Sequence, residues 1–296
     1  MKRLIRESPA KINLTLRVTG QRADGFHELE SLVAQVNLAD TLTVAATGNG
    51  CYALDCDNAA LADGGANLAV QAARSLSRAA GRNPGAVIRL TKRIPAGAGL
   101  GGGSSNAATA LILLNELWEC GLDRAELVTL AGALGSDVPL FLHGPQCVIR
   151  GRGEVVEEVS QPGALWTALV LPELHCSTPA VYRAWDELGR HPARPGLDDV
   201  LAAAGSADSL MDALFNDLEA AAFVVEPSLR ELSEQIEAAC GQRVRVTGSG
   251  SGLYRLFDDH RAAATFALAV GMECNVRADV AALRADVPST KSVEEA

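Results

Sequence analysis

The sequence predicts an α+β protein of two domains, and three observations support this fold class. The chain has 296 residues, about twice the roughly 150 residues of a typical domain. Hydrophobic residues make up 48% and charged residues 21%, the balance of a folded globular protein. Strand-like alternation and helix-like periodicity occur in both halves, on either side of a turn-rich stretch at residues 144–163. We therefore expect one domain over residues 1–158 and a second over residues 159–296.

Charge and cysteine usage exclude several classes of function. The net charge of −10 argues against a nucleic-acid or anionic-membrane partner, because such surfaces require a basic face. No apolar run approaches the roughly 18 residues of a spanning helix, and the first seven residues lack the apolar stretch of a signal peptide. Seven scattered cysteines without a CxxC pair favour reduced thiols. We expect a cytoplasmic monomer or weak homodimer with no metal-binding His cluster.

The first half begins with a strand pattern. Four apolar residues alternate with four polar ones over residues 11–18, the period-two pattern of a half-buried strand. A polar turn follows at residues 21–25, and residues 32–44 contain further strand pieces around a turn at 37–40. Residues 49–65 are loop-rich.

The next elements bring a strand and three helices. We expect a helix over residues 67–81, stopped by Gly81, and a strand over 86–94, ended by Pro95. A long helix rich in Ala and Leu follows at 106–119, and another runs over 124–134 until residues 135–139 break it.

The second half has a mixed pattern. Residues 165–171 predict a buried strand, and residues 189–209 predict a variable loop with some helix. The remaining helices are expected at 210–222, 227–239 and 261–270, and short strands at 244–246 and 253–257. The tail over residues 288–296 is expected to fray.

The strongest local signal is a run of five glycines within residues 97–103, between a predicted strand and a predicted helix. Glycine permits close backbone approach, and the free N–H groups of the following helix attract anions. Ser104 and Ser105 add hydroxyls that can bind a phosphate oxygen or Mg²⁺. The alternative is a flexible linker with serine as an ordinary helix cap.

The spacing Gly97-x-Gly99-x-x-Gly102 also matches the dinucleotide fingerprint, which alone is a weak signal. A dinucleotide site requires a second strand with an acidic residue about 20 residues further on. Here helix follows helix, so a Rossmann oxidoreductase is disfavoured.

Several motifs together resemble the GHMP small-molecule kinases. PAGAGLGGGSSNAA at residues 95–108 is similar to the family's phosphate loop. PAKINL at 9–14, DGFHEL at 24–29 and GSDVP at 135–139 indicate the members that phosphorylate a cytidine diphosphate sugar alcohol in isoprenoid precursor synthesis. The second half contributes CSTPAVY at 176–182, NDLE at 216–219 and VTGSGSG at 246–252.

The resemblance implies a fold and a set of ligands. The N-terminal domain should be similar to domain 2 of ribosomal protein S5, the C-terminal domain should be ferredoxin-like, and the active cleft should lie between them. The resemblance further implies ATP, with Mg²⁺, and a small-molecule acceptor. No residue is assigned as a metal ligand, so we expect ATP phosphates and water to hold the ion.

Phosphoryl transfer to an alcohol needs an aligned hydroxyl, a proton acceptor and cations around the moving group. Lys11 and Asp137 are our candidates, and the resemblance implies the same pair, with Asp as the base. Two structural alternatives stay open. Residues 136–139 also fit a helix cap followed by proline, and Lys11 also fits a solvated strand face.

The resemblance assigns binding residues in two groups. Tyr182 and Phe26 are expected to sandwich a cytosine ring, His27 to bind its edge, and Asn13 and Thr178 to add polar contacts. Phe26 replaces the family's usual Tyr, which keeps the stacking face and loses a hydroxyl. The alternative is that Phe26 and Tyr182 merely pack in the interior. The expected ATP-binding residues are Pro95, Ala96, Gly97, Ala98, Gly99, Leu100, Gly101, Gly102, Gly103, Ser104 and Ser105, with Asn67, Leu68 and the Lys92 backbone bordering adenine.

Two rival functions remain at this stage. Another GHMP small-alcohol kinase, of homoserine or mevalonate type, is disfavoured by the DGFH turn, because those substrates offer no base to stack. A non-catalytic nucleotide-binding sensor on the same fold is disfavoured by the presence of both Lys11 and Asp137.

Overall fold

The structure, a computed structural model, describes residues 2–61, 66–160, 163–189, 192–203 and 205–293. Parts of the predicted loop at 49–65, of the turn stretch at 144–163, of the variable segment at 189–209 and of the tail therefore lie outside the described residues. Within the described ranges the chain forms two β-sheets covered by helices. The α+β class predicted from the sequence is confirmed.

The described strands are β1 (Arg3–Asn13), β2 (Thr15–Gln21), β3 (His27–Ala46), β4 (Tyr52–Cys56), β5 (Ala86–Thr91), β6 (Gln146–Gly151), β7 (Val155–Glu158), β8 (Trp166–Val170), β9 (Phe215–Asn216), β10 (Arg245–Val246), β11 (Leu253–Phe257), β12 (Ala278–Ala282) and β13 (Lys291–Val293). The described α-helices are α1 (Leu68–Ala79), α2 (Gly102–Leu117), α3 (Arg124–Leu134), α4 (Thr178–Leu188), α5 (Leu197–Ala202), α6 (Ala207–Ala213), α7 (Glu219–Val225), α8 (Pro227–Cys240) and α9 (His260–Cys274).

Strand β3 is the hub of the larger sheet. Its 20 residues pair with β1, β2, β5 and β6, so it organises most of this sheet. The turn predicted at residues 37–40 was wrong, because β3 continues through these residues. The register against β1 shifts between Pro9 and Ala10, which face Ala39 and Val36. This bulge absorbs the extra residues and leaves the strand continuous.

The predicted strand over residues 11–18 is two strands with a break at Leu14, and both of its faces are covered. Lys11, Asn13 and Thr15 are at most 5% exposed, although the alternation had placed them on a solvated face. The prediction of a half-buried strand was wrong because residues distant in sequence cover the polar face. The backbone N–H of Asn13, for example, donates to Thr247 Oγ1 at 3.0 Å.

Local signals located the first helices well. Asn67 caps α1 by accepting a hydrogen bond from the Ala69 N–H at 3.0 Å. Helix α3 has the predicted bounds, because Asp123 and Glu126 form a capping box at its start. Helix α2 begins at Gly102, four residues earlier than predicted, because the last two glycines of the run have already entered the helix.

The smaller sheet has the order β10-β11-β8-β12 and is antiparallel. Helix α4 and strand β12 carried no sequence prediction. The predicted helix over residues 210–222 was wrong, since α6, β9 and α7 occupy this region. Asn216 explains the interruption: its Nδ2 donates to the carbonyls of Val246 and Gly248, both at 2.8 Å, and β9 pairs with β2.

The described part of the C-terminal tail forms a strand. Strand β13 pairs antiparallel with β1, with Arg3 opposite Val293, although this segment was expected to fray. The pairing completes an edge of the larger sheet, which a local pattern of three residues cannot reveal. The division into domains after residue 158 stays a prediction. Among the described helices, none has the length and apolar character needed to cross a membrane.

Asp40 fastens the segment that leads into the glycine run. Its carboxylate is fully buried and accepts a hydrogen bond from the Lys92 ammonium. It also accepts from the Arg93 and Ile94 N–H groups at 2.7 and 2.9 Å and from Asn106 Nδ2 at 2.9 Å. Four donors on one buried carboxylate therefore join β3, the end of β5 and helix α2.

We expect Asp40→Ala to reduce the free energy of unfolding by about 3–5 kcal/mol, because Lys92 then remains buried without its counter-charge. Urea unfolding followed by circular dichroism measures the loss. The matched control is Asp55→Ala, which breaks the exposed Arg89–Asp55 ion pair and should cost less than about 1 kcal/mol. Equal losses in the two variants would contradict this account of Asp40.

Candidate functional site

Two adjoining cavities contain the candidate residues. One is a cleft of about 560 Å³ and the other a groove of about 400 Å³. Gly99 and Gly101 line both cavities, so the glycine run forms the boundary between them. The cleft is lined by both sequence-predicted catalytic residues and by all five sequence-predicted substrate residues: Lys11, Asp137, Asn13, Phe26, His27, Thr178 and Tyr182.

The glycine run adopts backbone conformations that favour glycine. Gly97, Gly99 and Gly101 have φ values of +78°, +71° and +70°. A Cβ on Gly99 would lie 2.5 Å from the Thr247 carbonyl oxygen, and one on Gly101 would lie 3.0 Å from Lys11 Cγ. These contacts leave no room for a side chain. The linker alternative is thereby excluded, because the run is tightly packed on two sides.

The start of helix α2 faces the groove. Ala96, Gly103 and Ser104 line it, and the first N–H groups of the helix have no partner within the helix itself. Such an N-terminus attracts phosphate. Ser105 was predicted to share this role, but its side chain is fully buried and its Oγ accepts from Ser8 Oγ at 2.8 Å. The structure therefore directs the Ser105 hydroxyl into the interior and leaves Ser104 at the groove.

The three residues expected near adenine all line the groove. Asn67 and Leu68 form its border at the start of α1, and Lys92 reaches it from the end of β5. The Lys92 ammonium donates a hydrogen bond to Asp40. The backbone N–H of Lys92 donates to Asp57 Oδ1 at 2.9 Å. The side chain of Lys92 is therefore a structural cation.

Lys11 and Asp137 both line the cleft, and Lys11 lies beside Gly101, which the two cavities share. Lys11 Nζ lies 3.8 Å from Asp137 Oδ2 and donates to Asn13 Oδ1 at 2.6 Å. The Lys11 side chain is 7% exposed and that of Asp137 is 38% exposed. The solvated alternative for Lys11 is therefore wrong. Asp137 does not cap the 3-10 turn at Pro139–Leu142, because Val138 occupies the cap position without a side-chain bond.

Burial and charge act in opposite directions on Lys11. Burial lowers the pKa of the Lys11 ammonium below its usual range, and the charge and hydrogen bonding of Asp137 offset part of this effect. The compact ammonium thus lies in a site where its charge is weakly hydrated. An anion that enters this site meets a cation whose attraction is only partly screened.

A second glycine-rich loop, at residues 247–252, covers Lys11 from the smaller sheet. Gly248 is so close that an added Cβ would lie 3.4 Å from both Lys11 Nζ and Asn13 Oδ1. Ser249 Oγ forms a hydrogen bond with Thr178 Oγ1 at 2.8 Å. This loop therefore joins the catalytic candidates to the start of helix α4.

The aromatic end of the cleft differs in detail from the sequence prediction. The ring of His27 stacks on Tyr182, with centroids 4.7 Å apart and an interplanar angle of 24°. Phe26 is 52% exposed, and the Arg152 guanidinium lies 4.9 Å from its ring centroid. Burial, with the charge of Asp137, raises the pKa of Tyr182 to about 12. Phe26 therefore does not pack in the interior, and one face of Tyr182 is covered by His27.

Sequence reasoning missed several residues of the cleft. Arg152, Arg183, Asp186 and Ser249 also line it. Asp186 lies four residues after Tyr182 on α4, so predicting this helix would have placed both on one face. No sequence pattern indicated Arg152, because it contacts Phe26 from a turn that is distant in the sequence.

The described residues do not form a cluster of side chains that could hold a metal ion by themselves. Within the described ranges, no three His, Cys, Asp or Glu side chains converge on one point. Asp137 and Asp186 supply the carboxylates of the cleft lining. Such a site suits Mg²⁺ carried on phosphates, since this ion keeps several waters and accepts few protein ligands.

Comparisons with known proteins show which family this chain is similar to. The profile "GHMP kinases N terminal domain" matches residues 67–145, and "GHMP kinases C terminal" matches residues 199–275. A 4-diphosphocytidyl-2-C-methyl-D-erythritol kinase from Geobacter sp. (strain M21) is 36% identical, over 90% of this chain and 94% of the relative. A kinase of the same name from Bordetella parapertussis is 41% identical, over 84% of this chain and 81% of the relative.

Solved structures extend the comparison to the fold. A crystal structure of 4-(cytidine 5'-diphospho)-2C-methyl-D-erythritol kinase has a TM-score of 0.78 and 36% identity, covering 94% of this chain and 98% of that one. A homoserine kinase from Cytophaga hutchinsonii has a TM-score of 0.69 at 17% identity, covering 99% and 97%. The second likeness concerns the fold alone.

We expect Gly99→Ala to weaken ATP binding at least tenfold, because the new Cβ would collide with the Thr247 carbonyl at a positive φ. Isothermal titration calorimetry measures the affinity, and thermal unfolding shows whether the fold is retained. Gly132→Ala is the matched control, since an added Cβ there meets nothing within 4 Å and the residue lies inside helix α3. Unchanged ATP affinity in Gly99→Ala would contradict the tight packing of the run.

Proposed function

Because the chain belongs to the 4-diphosphocytidyl-2-C-methyl-D-erythritol kinases of the GHMP family, we propose that it transfers the γ-phosphoryl group of ATP to the 2-hydroxyl of that substrate. The products are the 2-phosphate and ADP. The reaction is a step in the non-mevalonate synthesis of isoprenoid precursors. The protein is thus an ATP-dependent small-molecule kinase.

One observation carries the proposal: Lys11 and Asp137 line the aromatic cleft 3.8 Å apart, and Lys11 lies beside Gly101, which the cleft shares with the glycine-lined groove. ATP in the groove would direct its phosphates along the glycine run towards Lys11. The acceptor in the cleft would present its hydroxyl from the other side. The two reactants thus meet at the pair, and such positioning accounts for much of the catalysis of phosphoryl transfer.

At this junction each side chain has one task. Asp137 accepts the proton of the attacking hydroxyl as the bond from its oxygen to the γ-phosphorus forms and the bond from that phosphorus to the β,γ-bridging oxygen breaks. Lys11 stabilises the charge on the transferring phosphoryl oxygens. Its burial strengthens this interaction, because little water competes for the ammonium. Asn13 holds Lys11 in place through its 2.6 Å hydrogen bond.

The groove residues bind the nucleotide. The N–H groups of residues 97–104 and the start of α2 receive the phosphates, and Ser104 supplies a hydroxyl. Asn67, Leu68 and the Lys92 backbone border the adenine. The ATP phosphates and water would hold Mg²⁺, which would neutralise part of the phosphate charge.

The cleft residues bind the cytidine end. Phe26 and Tyr182 offer aromatic faces, and such stacking is worth about 1–3 kcal/mol per base in nucleic-acid complexes. His27 binds the edge of the base, and Asn13 and Thr178 contact the remainder of the substrate. Phe26 keeps the stacking face and gains support from Arg152.

The rival functions are less well supported. Homoserine and mevalonate kinases share the fold at low identity, and their substrates have no base for the aromatic end of the cleft. A nucleotide sensor would have no need for a buried Lys beside Asp137. The cytoplasmic location, the monomeric or weakly dimeric state and the lack of nucleic-acid and membrane partners remain part of the proposal.

An ADP-release assay tests the acceptor. We expect ATP and the cytidine diphosphate substrate to give rapid ADP release, and homoserine, mevalonate or no acceptor to give background rates. Product phosphorylation is checked by ³¹P NMR. Equal ADP release without acceptor would disprove the substrate assignment.

We expect Asp137→Asn and Lys11→Ala each to lower single-turnover rates by at least about 10²-fold, because each removes a group needed in the transition state. Rapid-quench measurements at saturating substrates separate this effect from binding. Asp55→Asn, which changes an exposed and distant carboxylate, is the control and should keep the parent rate. Near-normal rates in a well-folded Asp137 or Lys11 variant would refute the assigned role.

A further inference from the structure

The imidazole of His27 is held by three residues of helix α4. Tyr182 covers one face at 4.7 Å, and Trp185 contacts the ring edge-on at 5.6 Å and 86°. Asp186 Oδ1 lies 2.9 Å from His27 Nε2. The side chain of His27 is only 9% exposed, although it lines the cleft. This ring therefore has one defined orientation.

Asp186 also defines where the ring carries its hydrogen. A carboxylate only accepts hydrogen bonds, so the 2.9 Å contact requires a hydrogen on Nε2. In a neutral imidazole the other nitrogen, Nδ1, is then an acceptor. Within the described part of the chain, Nδ1 has no hydrogen-bond partner. In the neutral ring, the nitrogen left for a ligand in the cleft is thus an acceptor.

An acceptor at this position distinguishes between the two pyrimidine bases. Cytosine carries an exocyclic amino group, which donates, where uracil carries a carbonyl oxygen, which accepts. His27 Nδ1 can pair with the amino group, whereas the carbonyl oxygen would face it as a second acceptor. Sites that leave a polar group unpaired in this way reject the wrong ligand strongly.

We infer that Asp186 is a positioning residue that makes the site select cytosine over uracil by holding His27 in the Nε2–H form. The inference rests on the proposed function, in which a cytidine base enters this end of the cleft. Asp186 does not touch the base and acts through His27. Helix α4 therefore supplies both a stacking surface, Tyr182, and the carboxylate one turn later.

The test combines NMR with kinetics on the full chain. Two-bond ¹H–¹⁵N spectra of histidine-labelled protein report the tautomer of each ring, and His27→Asn assigns the signal. We expect the parent protein to show the neutral Nε2–H form at His27 and Asp186→Ala to show a tautomer mixture. In the same variant, the ratio of kcat/KM for the cytidine substrate to that for its uridine counterpart should fall about tenfold.

Glu187→Ala is the matched control, because it removes an exposed carboxylate from the next position of the same helix. It should leave both the spectrum and the ratio unchanged, and circular dichroism verifies that α4 is retained in each variant. An imidazolium or Nδ1–H form in the parent protein, or an unchanged ratio in Asp186→Ala, would overturn the inference. Loss of turnover with both acceptors in the parent protein would instead refute the proposed function, and the NMR result needs no turnover.

Discussion

The backbone of residues 98–100 forms hydrogen bonds with the larger sheet and with the loop at 247–252 of the smaller one. The site depends on these two attachments. Leu100 accepts from the Lys11 N–H at 3.0 Å, and Ala98 accepts from the Gly252 N–H at 3.2 Å. The glycine run thereby connects the first strand of the larger sheet to the loop of the smaller one. Both cavities take their shape from this connection, because the run forms part of each lining.

Charge in this protein is organised locally. The chain carries a net charge of −10, yet both of its proposed substrates, ATP and the cytidine diphosphate sugar alcohol, are anions. Two of its four lysines have largely buried side chains near the glycine run, but they have different roles. Lys92 is neutralised by Asp40 and fixes the chain, whereas Lys11 has Asp137 at 3.8 Å and faces the cleft. The distance of each ammonium from its carboxylate thus separates a structural cation from a candidate catalytic one.

The aromatic end shows how one helix can combine several roles. Helix α4 brings Tyr182, Trp185 and Asp186 to one ring, that of His27. Phe26 is 52% exposed beside Arg152, whereas the neighbouring His27 is held by helix α4. In the proposed function, recognition of the base therefore depends on how a helix of the second half packs against the start of β3.

The sequence by itself determined the features that are encoded over short distances. The glycine run, the capped start of α1 at Asn67 and the capping box of α3 are contiguous patterns, and the motifs around Lys11 and Asp137 named the pair. Only the tertiary structure decided what depends on distant partners: the inward-facing Ser105, the interruption at Asn216, the pairing of β13 and the contact of Asp186 with His27. Hydrogen bonds between residues far apart in the chain leave no periodic signal, so their geometry emerges only when the fold brings them together.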